Sequence, residues 1–410
     1  MLVGGSMKKI IMHIDVNNAF LSWTAVLMLK NGYKYDIRKT YAVIGGDEAS
    51  RRGIVLAKST PAKKKGVVTG ETLYMARKKC PNLKSYPPNY NFYKKMSDSM
   101  FDLIRGYSPD IEQMSIDECF LDYTPVKKLY GNEVDFAYKL KKEIFEKLGF
   151  TVNVGIANNK LCAKMASDFS KPNKVHTLFE EEVESKMWPL PIDDLFGIGK
   201  KTAQKLHNLN IHTIYDLAYA DSDKLYKYFK NQAMVMINSA RGIGSDFVNS
   251  IPDKPKGIGN ETTLDHNIIN KEDLYPYLLA LSENVCLRLR RQDKYAYVVV
   301  VTLKDKFFKR RSHQKKLINA TNITEEVYNI SKEILSEMDT EDGIRLIGVR
   351  LDNLVDSSNH QVSLFESLDV REDNNVLEKT VDFIKEKYGF KSIKKASLTD
   401  KSVGNKYLNK

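Results

Sequence analysis

The sequence predicts an α+β protein of several domains, and three observations carry that prediction. Its 410 residues exceed what one ordinary hydrophobic core encloses. Short strand-like apolar runs alternate with segments of helical period along the first half of the chain. A stretch rich in proline and glycine, NSIPDKPKGIGN (249–260), then separates that half from a second strand-and-helix region.

The elements follow in order. KKIIMHIDV (8–16) reads as a short buried strand ending at Asp15, and NNAFLSWTAVLMLKNG as the helix after it. Residues 37–57 are strand material interrupted by Gly45 and Gly46, and a basic segment of short elements follows. YNFYKKMSDSMFDLIRGYSP is a helix closed by Gly106 and Pro109. After a hairpin near residue 117 come a helix over about 132–148, the strand FTVNVGIA and a helix ended by Pro172. Short helices occupy 188–220. Beyond the linker, YAYVVVVTL and IRLIGVRLDNL are strands among helices, and residues after about 366 are polar and expected to be loosely attached.

Composition narrows the function classes. Hydrophobic residues make up 42% and aromatic residues 10% of the chain, which excludes a disordered protein. Sixty-four basic against 52 acidic residues give +12, compatible with a polyanionic partner and with simple solubility. Cys80, Cys119, Cys162 and Cys286 have no CxxC spacing and no accompanying histidine cluster. That argues against a zinc site or a disulfide framework and for a reducing cytoplasm. No apolar run approaches the ~20 residues of a membrane span. The opening MLVGGSMKKI has no signal-peptide core, and Met7 is the expected natural start.

The chemistry begins with QMSIDECFLDY (113–123), where Asp117 and Glu118 adjoin inside an apolar stretch. Carboxylates in such surroundings repel and resist desolvation unless a cation holds them. Hard oxygen ligands at strand ends suit Mg²⁺. Adjacent strand residues point to opposite faces, so the pair can serve one site only near a turn, and the hairpin tip is expected here. Taken alone, the triplet Ile-Asp-Glu more often marks a surface turn whose acids meet water.

Phosphate chemistry supplies the context. In LFGIGKKTAQKL (195–206), Gly197 and Gly199 precede a helix carrying Lys200 and Lys201. Two glycines let a backbone approach a phosphate, and the helix N-terminus offers free N–H donors and a favourable dipole. This is a helix–hairpin–helix pattern, a grip on a nucleic-acid backbone that ignores sequence. Residues 286–316 carry eleven Lys and Arg, including Arg310 and Arg311, against two Asp. Tyr297, Phe307 and Phe308 are interleaved, and a polyanion along a sheet is the expected partner.

Asp15, the SIDE motif with Asp117 and Glu118, NVGIANNKLCAKMASDFSKPN (153–173), the helix–hairpin–helix and GIGNETTL (257–264) stand in this order. That combination resembles the Y-family DNA polymerases, the lesion-bypass enzymes, from about residue 8 to about 365. The resemblance implies a right-hand fold with a palm (1–20 and 89–178), small fingers (21–88), a helical thumb containing the helix–hairpin–helix (179–246), a linker (247–256) and an α+β little finger (257–355), followed by a tail over 356–410. It implies template-directed DNA synthesis from primer–template DNA and a dNTP by two-metal phosphoryl transfer. Asp15, Asp117 and Glu118 would be the metal ligands, with the main-chain carbonyl of Val16 beside them. The ions would be two Mg²⁺, with Mn²⁺ as substitute. Phe20, five places after Asp15, corresponds to the family's steric gate against the 2′-hydroxyl, and Lys171 to its triphosphate lysine. One departure stands out, because many members have Tyr-x-x-Arg in the fingers where this chain has Thr60-Pro61-Ala62-Lys63. Lys63 keeps the cation without the bidentate fork, and Thr60 lacks the ring.

QVSLF (361–365) resembles the peptide by which bacterial polymerases dock on the sliding clamp, through Gln361, Leu364 and Phe365, in an extended-segment mode. A monomer is expected, with no membrane partner. Two other readings compete with this one. GGDEA (45–49) resembles a diguanylate cyclase motif but lies away from the acidic hairpin and leaves the helix–hairpin–helix without a purpose. A DNA-binding or clamp-associated accessory factor on the same scaffold would not need the complete acidic triad.

Overall fold

The structure, a computed structural model, describes residues 8–48, 51, 53–356, 368–389, 392–395 and 398, through the backbone alone over 368–375. The chain runs β1 (Ile11–Val16), α1 (Ala19–Lys30), β2 (Ala42–Gly45), β3 (Val55–Lys58), α2 (Thr60–Lys64), α3 (Leu73–Lys79), β4 (Lys84–Tyr86), α4 (Tyr90–Arg105), β5 (Ile111–Gln113) and β6 (Glu118–Asp122). It continues through α5 (Lys127–Tyr130), α6 (Glu133–Leu148), β7 (Val152–Ala157), α7 (Lys160–Asp168), β8 (Val175–Leu178), α8 (Lys200–His207), α9 (Ile214–Ala218), α10 (Ser222–Phe229) and α11 (Gln232–Ala240). The remainder is β9 (Gly257–Ile268), α12 (Tyr275–Arg290), β10 (Lys294–Asp305), β11 (Arg310–Thr321), α13 (Thr324–Ser336), β12 (Ile344–Asp356) and α14 (Leu368–Tyr388). These residues form two compact units, one of the chain through Asp47 with Gly53–Pro252, the other of Glu48–Arg52 with the chain from Asp253.

In the first unit a five-stranded sheet of order β5-β6-β1-β7-β8 forms the centre. All six residues of β1 are buried, because the strand pairs antiparallel with β6 on one side and β7 on the other and is covered on both faces. One face, with Met12, Ile14 and Val16, packs on Trp23, Phe101 and Phe136 from α1, α4 and α6. Asn132 caps α6 by accepting from Val134 N and Asp135 N, and Gly149 ends it in the left-handed region. The other face is covered by α7. A Cβ at Gly155 would lie 2.0 Å from Ala163 O and 2.4 Å from Ser167 N, so α7 rests directly on the backbone of β7.

A smaller sheet of order β3-β2-β4 has its own core of Val43, Val55, Ala62, Leu73 and Ala76, under α2 and α3. The strand material expected over 37–57, interrupted at Gly45 and Gly46, is two strands, β2 ending at Gly45, with a short 3₁₀ turn at Ile37–Lys39 before them. Helices α8–α11 share a core through Leu206, Ile214, Leu225 and Ile237, continuous with Ala163 and Ala166 of α7.

In the second unit β11-β10-β12-β9 form an antiparallel sheet. The side chains of Val299, Val301, Leu303, Ile347 and Val349 pack on α12 and α13, which leaves the opposite face open. β9 begins at Gly257, so only the first part of the proline- and glycine-rich stretch is a connection. The expected loose tail is corrected by α14. Arg290 on α12, 5% exposed in its side chain, forms ion pairs with Glu378 at 2.9 Å and Asp382 at 2.6 Å. Lys385 meets the buried Glu283 at 3.2 Å, and Thr324 N donates to Glu378. The polarity that read as a free tail is a set of partners for charges on α12 and α13. Among the described residues no helix is long and apolar enough to cross a membrane.

Candidate active site

β1 delivers Asp15 to the edge of the sheet face that α7 covers. Register decides what meets it, since Asp15 stands opposite Glu118 on β6 and opposite Asn153 on β7, with His13 opposite Phe120 and Gly155. Asp117 lies one residue before β6, in the turn closed by Met114 N and Ser115 N donating to Glu118 O at 3.1 and 3.3 Å. Its carbonyl accepts from Val16 N at 3.0 Å. The turn releases Asp117 from strand alternation, so two adjacent carboxylates approach Asp15 together.

Lysines compensate two of the three. Lys171 Nζ donates to Asp15 Oδ2 and also meets Asp168 at 2.8 Å. Burial opposes its charge, yet Asp15 and Asp168 outweigh burial and raise its pKa. Lys164 Nζ donates to Glu118 Oε2 at 2.5 Å, and His13 Nε2 lies 3.4 Å from the same oxygen. The His13 contact first, and then Lys164 working against burial, hold Glu118 down to about 2. Burial pushes His13 itself down, away from its charged form, and its Nδ1 is 2.8 Å from Ser167 Oγ.

Asp117 differs. Its Oδ1 accepts from Ser115 Oγ at 2.6 Å. Burial first pushes its pKa up, and the charges of Asp15 and Glu118 add to that. No cationic side chain pairs with it among the described residues. A hard divalent cation would relieve this imbalance and has three carboxylates to accept it, so the donor chemistry fits Mg²⁺. With the lysines seated on Asp15 and Glu118, no group of three or more His, Cys, Asp or Glu among the described residues is arranged as a metal-binding set.

The other expected residues fall in separate places. Phe20, in the first turn of α1, is half-buried and stacks on Tyr93 at 4.7 Å and 11°, with Tyr90 edge-on at 6.0 Å. Thr60 opens α2 behind the Ser59 cap, and Lys63 sits in its last turn. Gly197 has φ +92°, and space around both it and Gly199, the N-cap of α8, is open. Lys200 and Lys201 are exposed. Arg310 and Arg311 part company: Arg310 lies on the open sheet face, opposite Lys304, whereas Arg311 turns to Asp339, donating to its carbonyl at 2.6 Å. The expectation that both serve one surface is corrected by strand alternation. Gln361, Leu364 and Phe365 lie outside the described residues.

Several residues of the site carried no motif. Asn153 is fully buried, accepting from Asn17 Nδ2 at 3.1 Å and Lys174 N at 3.1 Å and donating to Ser167 O at 2.9 Å and Ser170 O at 2.7 Å. Asn17 Oδ1 accepts from Asn173 N at 2.8 Å. The two amides thereby fasten the 170–174 loop that holds Lys171. The available signal was a lone polar residue inside the apolar strand VNVGIA, since a buried amide demands partners. His13, two residues before Asp15, shares its strand face. Lys58, whose pKa is lowered by burial and then by Lys63, adds a cation beside α2.

Comparisons with known proteins identify the family. The impB/mucB/samB family model matches residues 14–168, its C-terminal domain 255–364, and the IMS family HHH motif 180–211. A DNA polymerase IV of Clostridium acetobutylicum is 47% identical over 96% of this chain and 99% of its own length. The chain belongs to the Y-family of DNA polymerases. A DNA polymerase IV of Alkaliphilus oremlandii is 35% identical over 96% of this chain and 99% of its own length. A Y-family polymerase chimera built on Dbh superposes with a TM-score of 0.74 at 26% identity, over 85% of this chain and 99% of its own. An insertion ternary complex of Dbh DNA polymerase does so at 0.58 and 26%, with the same coverages. As a Y-family enzyme the protein is a DNA-directed DNA polymerase with a palm, small fingers, a helical thumb holding the helix–hairpin–helix, and a little finger. Neither the cyclase nor the inactive accessory factor is favoured.

Proposed function

We propose that this Y-family polymerase adds deoxynucleotides to a primer 3′-hydroxyl at the Asp15–Asp117–Glu118 cluster, releasing pyrophosphate. The observation that carries the reading is the convergence of Asp15 and Glu118 as cross-strand partners with Asp117 in the adjoining turn. Asp15, Asp117 and Glu118, with the Val16 carbonyl beside them, would hold two Mg²⁺ ions, or Mn²⁺ in their place. Such ions, when bound, lower the pKa of the attacking hydroxyl and neutralise charge on the triphosphate and leaving pyrophosphate.

The chain's own groups have distinct tasks. Lys171 balances Asp15 in the structure and, once a cation replaces it there, is free to meet triphosphate as a point charge. Lys63 and Lys58 add positive charge from the fingers, and Thr60 leaves the ring position of the family pattern open. Phe20, braced by Tyr93, would lie under the sugar and exclude a 2′-hydroxyl. Gly197, Gly199, Lys200 and Lys201 would hold backbone phosphates, as would Arg310 on the open sheet face. In this reading the palm would comprise 1–20 and 89–178, the fingers 21–88, the thumb 179–246 and the little finger 257–355. Clamp docking through Gln361, Leu364 and Phe365 rests on the sequence.

Primer extension tests the reading. Asp117→Ala and Glu118→Ala should each abolish Mg²⁺-dependent extension while binding of primer–template DNA persists. Normal extension by either variant overturns the assignment.

A further inference from the structure

The open face of the second unit's sheet is shaped by glycine. Register places Gly257 opposite Asp352, Gly259 opposite Arg350 and Glu261 opposite Gly348, with Thr302 and Ser312 continuing the last row. The result is a trough floored by backbone along β9 and β12.

Two ion pairs occupy this trough. Arg310 on β11 reaches Glu261 on β9, with Nη2 2.7 Å from Oε2 and Nη1 3.5 Å from Oε1. Three strand spacings, ~14 Å, separate those backbones, and the side chains meet because Gly348 raises nothing between them. Beside it Arg350 Nε donates to Asp352 Oδ1 at 2.7 Å. A Cβ at Gly257 would fall 1.9 Å from that Asp352 oxygen, and one at Gly259 would fall 3.0 Å from Arg350 Cβ. The glycines are thus fitted to the second pair. Each arginine remains half-exposed, at 53% for Arg310 and 56% for Arg350.

A carboxylate on a surface that grips phosphate opposes binding through its own charge. A carboxylate also presents to guanidinium the planar pair of oxygens that a phosphate presents. We propose that Glu261 and Asp352 are internal competitors for Arg310 and Arg350, displaced when DNA phosphates reach this face, and that they weaken the grip so that primer–template is released quickly. The proposal rests on the reading of this face as a DNA-binding surface.

Fluorescence anisotropy with a primer–template duplex and the full chain, from 50 to 200 mM salt, tests both levels. Glu261→Gln and Asp352→Asn should each tighten binding roughly two- to five-fold, the strength of an exposed ion pair. The double variant should steepen the dependence of log K on log salt by up to about 0.9 per freed arginine. Arg310→Ala and Arg350→Ala should weaken binding, and Glu261→Gln should give no gain in the Arg310→Ala background. If the arginine variants weaken binding while the acid variants leave it unchanged, the competition is overturned and the DNA-binding face stands. A gain from Glu261→Gln that persists without Arg310 also overturns it, by reducing the effect to net charge. Unchanged binding by both arginine variants removes the DNA-binding face and the proposal together.

Discussion

Substituting Glu378→Gln and Asp382→Asn together keeps the shape of α14 and removes both negative partners of Arg290. The guanidinium, 5% exposed, would keep only neutral acceptors: the new side-chain amide oxygens, the Asn322 carbonyl at 2.7 Å and the Thr324 hydroxyl at 3.4 Å. None of them carries a compensating charge. Stranding a buried charge in this way costs about 3–5 kcal/mol. The molecule has a route of escape, because lifting α14 rehydrates Arg290, so the measured loss is capped by the free energy with which α14 docks. Either way α14 opens more often, by a factor of about 100 for 3 kcal/mol. Native-state trypsin digestion reads this directly at Lys379, Lys385 and Lys387, since cleavage of a transiently open segment follows the open population. The variant should be cut in α14 about 100-fold faster than the native chain. Replacing all three charged residues, as Arg290→Met, Glu378→Leu and Asp382→Leu, should restore protection, because an apolar set of similar volume carries no desolvation penalty. Unchanged cleavage in the isosteric variant would refute the claim that the ion network holds α14.

Three further outcomes follow from the first unit. Gly155→Ala would drive a methyl into the α7 backbone, so urea unfolding should show a loss of about 1–3 kcal/mol or more, with extension reduced because α7 carries Lys164. Asn153→Leu leaves the Asn17 amide and the Ser167 and Ser170 carbonyls without their partner, at about 1–3 kcal/mol for each unsatisfied group. Because the loosened loop carries Lys171, the KM for dNTP should rise about tenfold or more while the Kd for primer–template holds; an unchanged KM counts against the positioning role. Phe20→Ala should raise ribonucleotide use relative to deoxynucleotide use by roughly 10- to 200-fold in kcat/KM, the range of a shape-based exclusion. A loss of stability with the ratio unmoved would make Phe20 only a packing partner of Tyr93.

Much of the first unit was legible because its features are local. A strand buried on both faces reads as a continuous apolar run, so Asp15 at the end of IMHIDV stands out. Asp117 and Glu118 could be assigned to a turn because no strand presents adjacent side chains to one site. What stayed hidden depends on contacts distant in sequence. Lys164 and Asn153 matter through register with β1 and through the approach of α7 at Gly155, which no spacing rule encodes. In the second unit the dense basic run overstated the free charge for the same reason. Arg290, Arg291, Lys294 and Lys315 are partnered with Asp382, Glu386, Asp356 and Glu333, acids that lie 18 to 95 residues away. Counting charges along the chain registered the bases in one window and the acids in others, so bases partnered within the unit read as free positive charge and α14 as a loose polar tail.

The same reasoning separates the two places where arginine and lysine meet carboxylates. At the acidic cluster of Asp15, Asp117 and Glu118 three carboxylates have two lysine partners, and Asp117 is left to a serine hydroxyl, so the surplus is negative and invites a cation. On the open sheet face Arg310 and Arg350 have one carboxylate each, and there the balance is local and exposed. A cation entering the first site relieves repulsion already present, whereas a phosphate arriving at the second must displace an existing partner. Binding at the palm is thus favoured by the charge arrangement before the substrate comes, and binding at the little finger is restrained by it. An enzyme arranged this way would hold its nucleotide chemistry ready while letting go of DNA after short synthesis. Releasing the restraint through Glu261 and Asp352 should therefore lengthen the products of a single binding event without changing the rate of a single insertion.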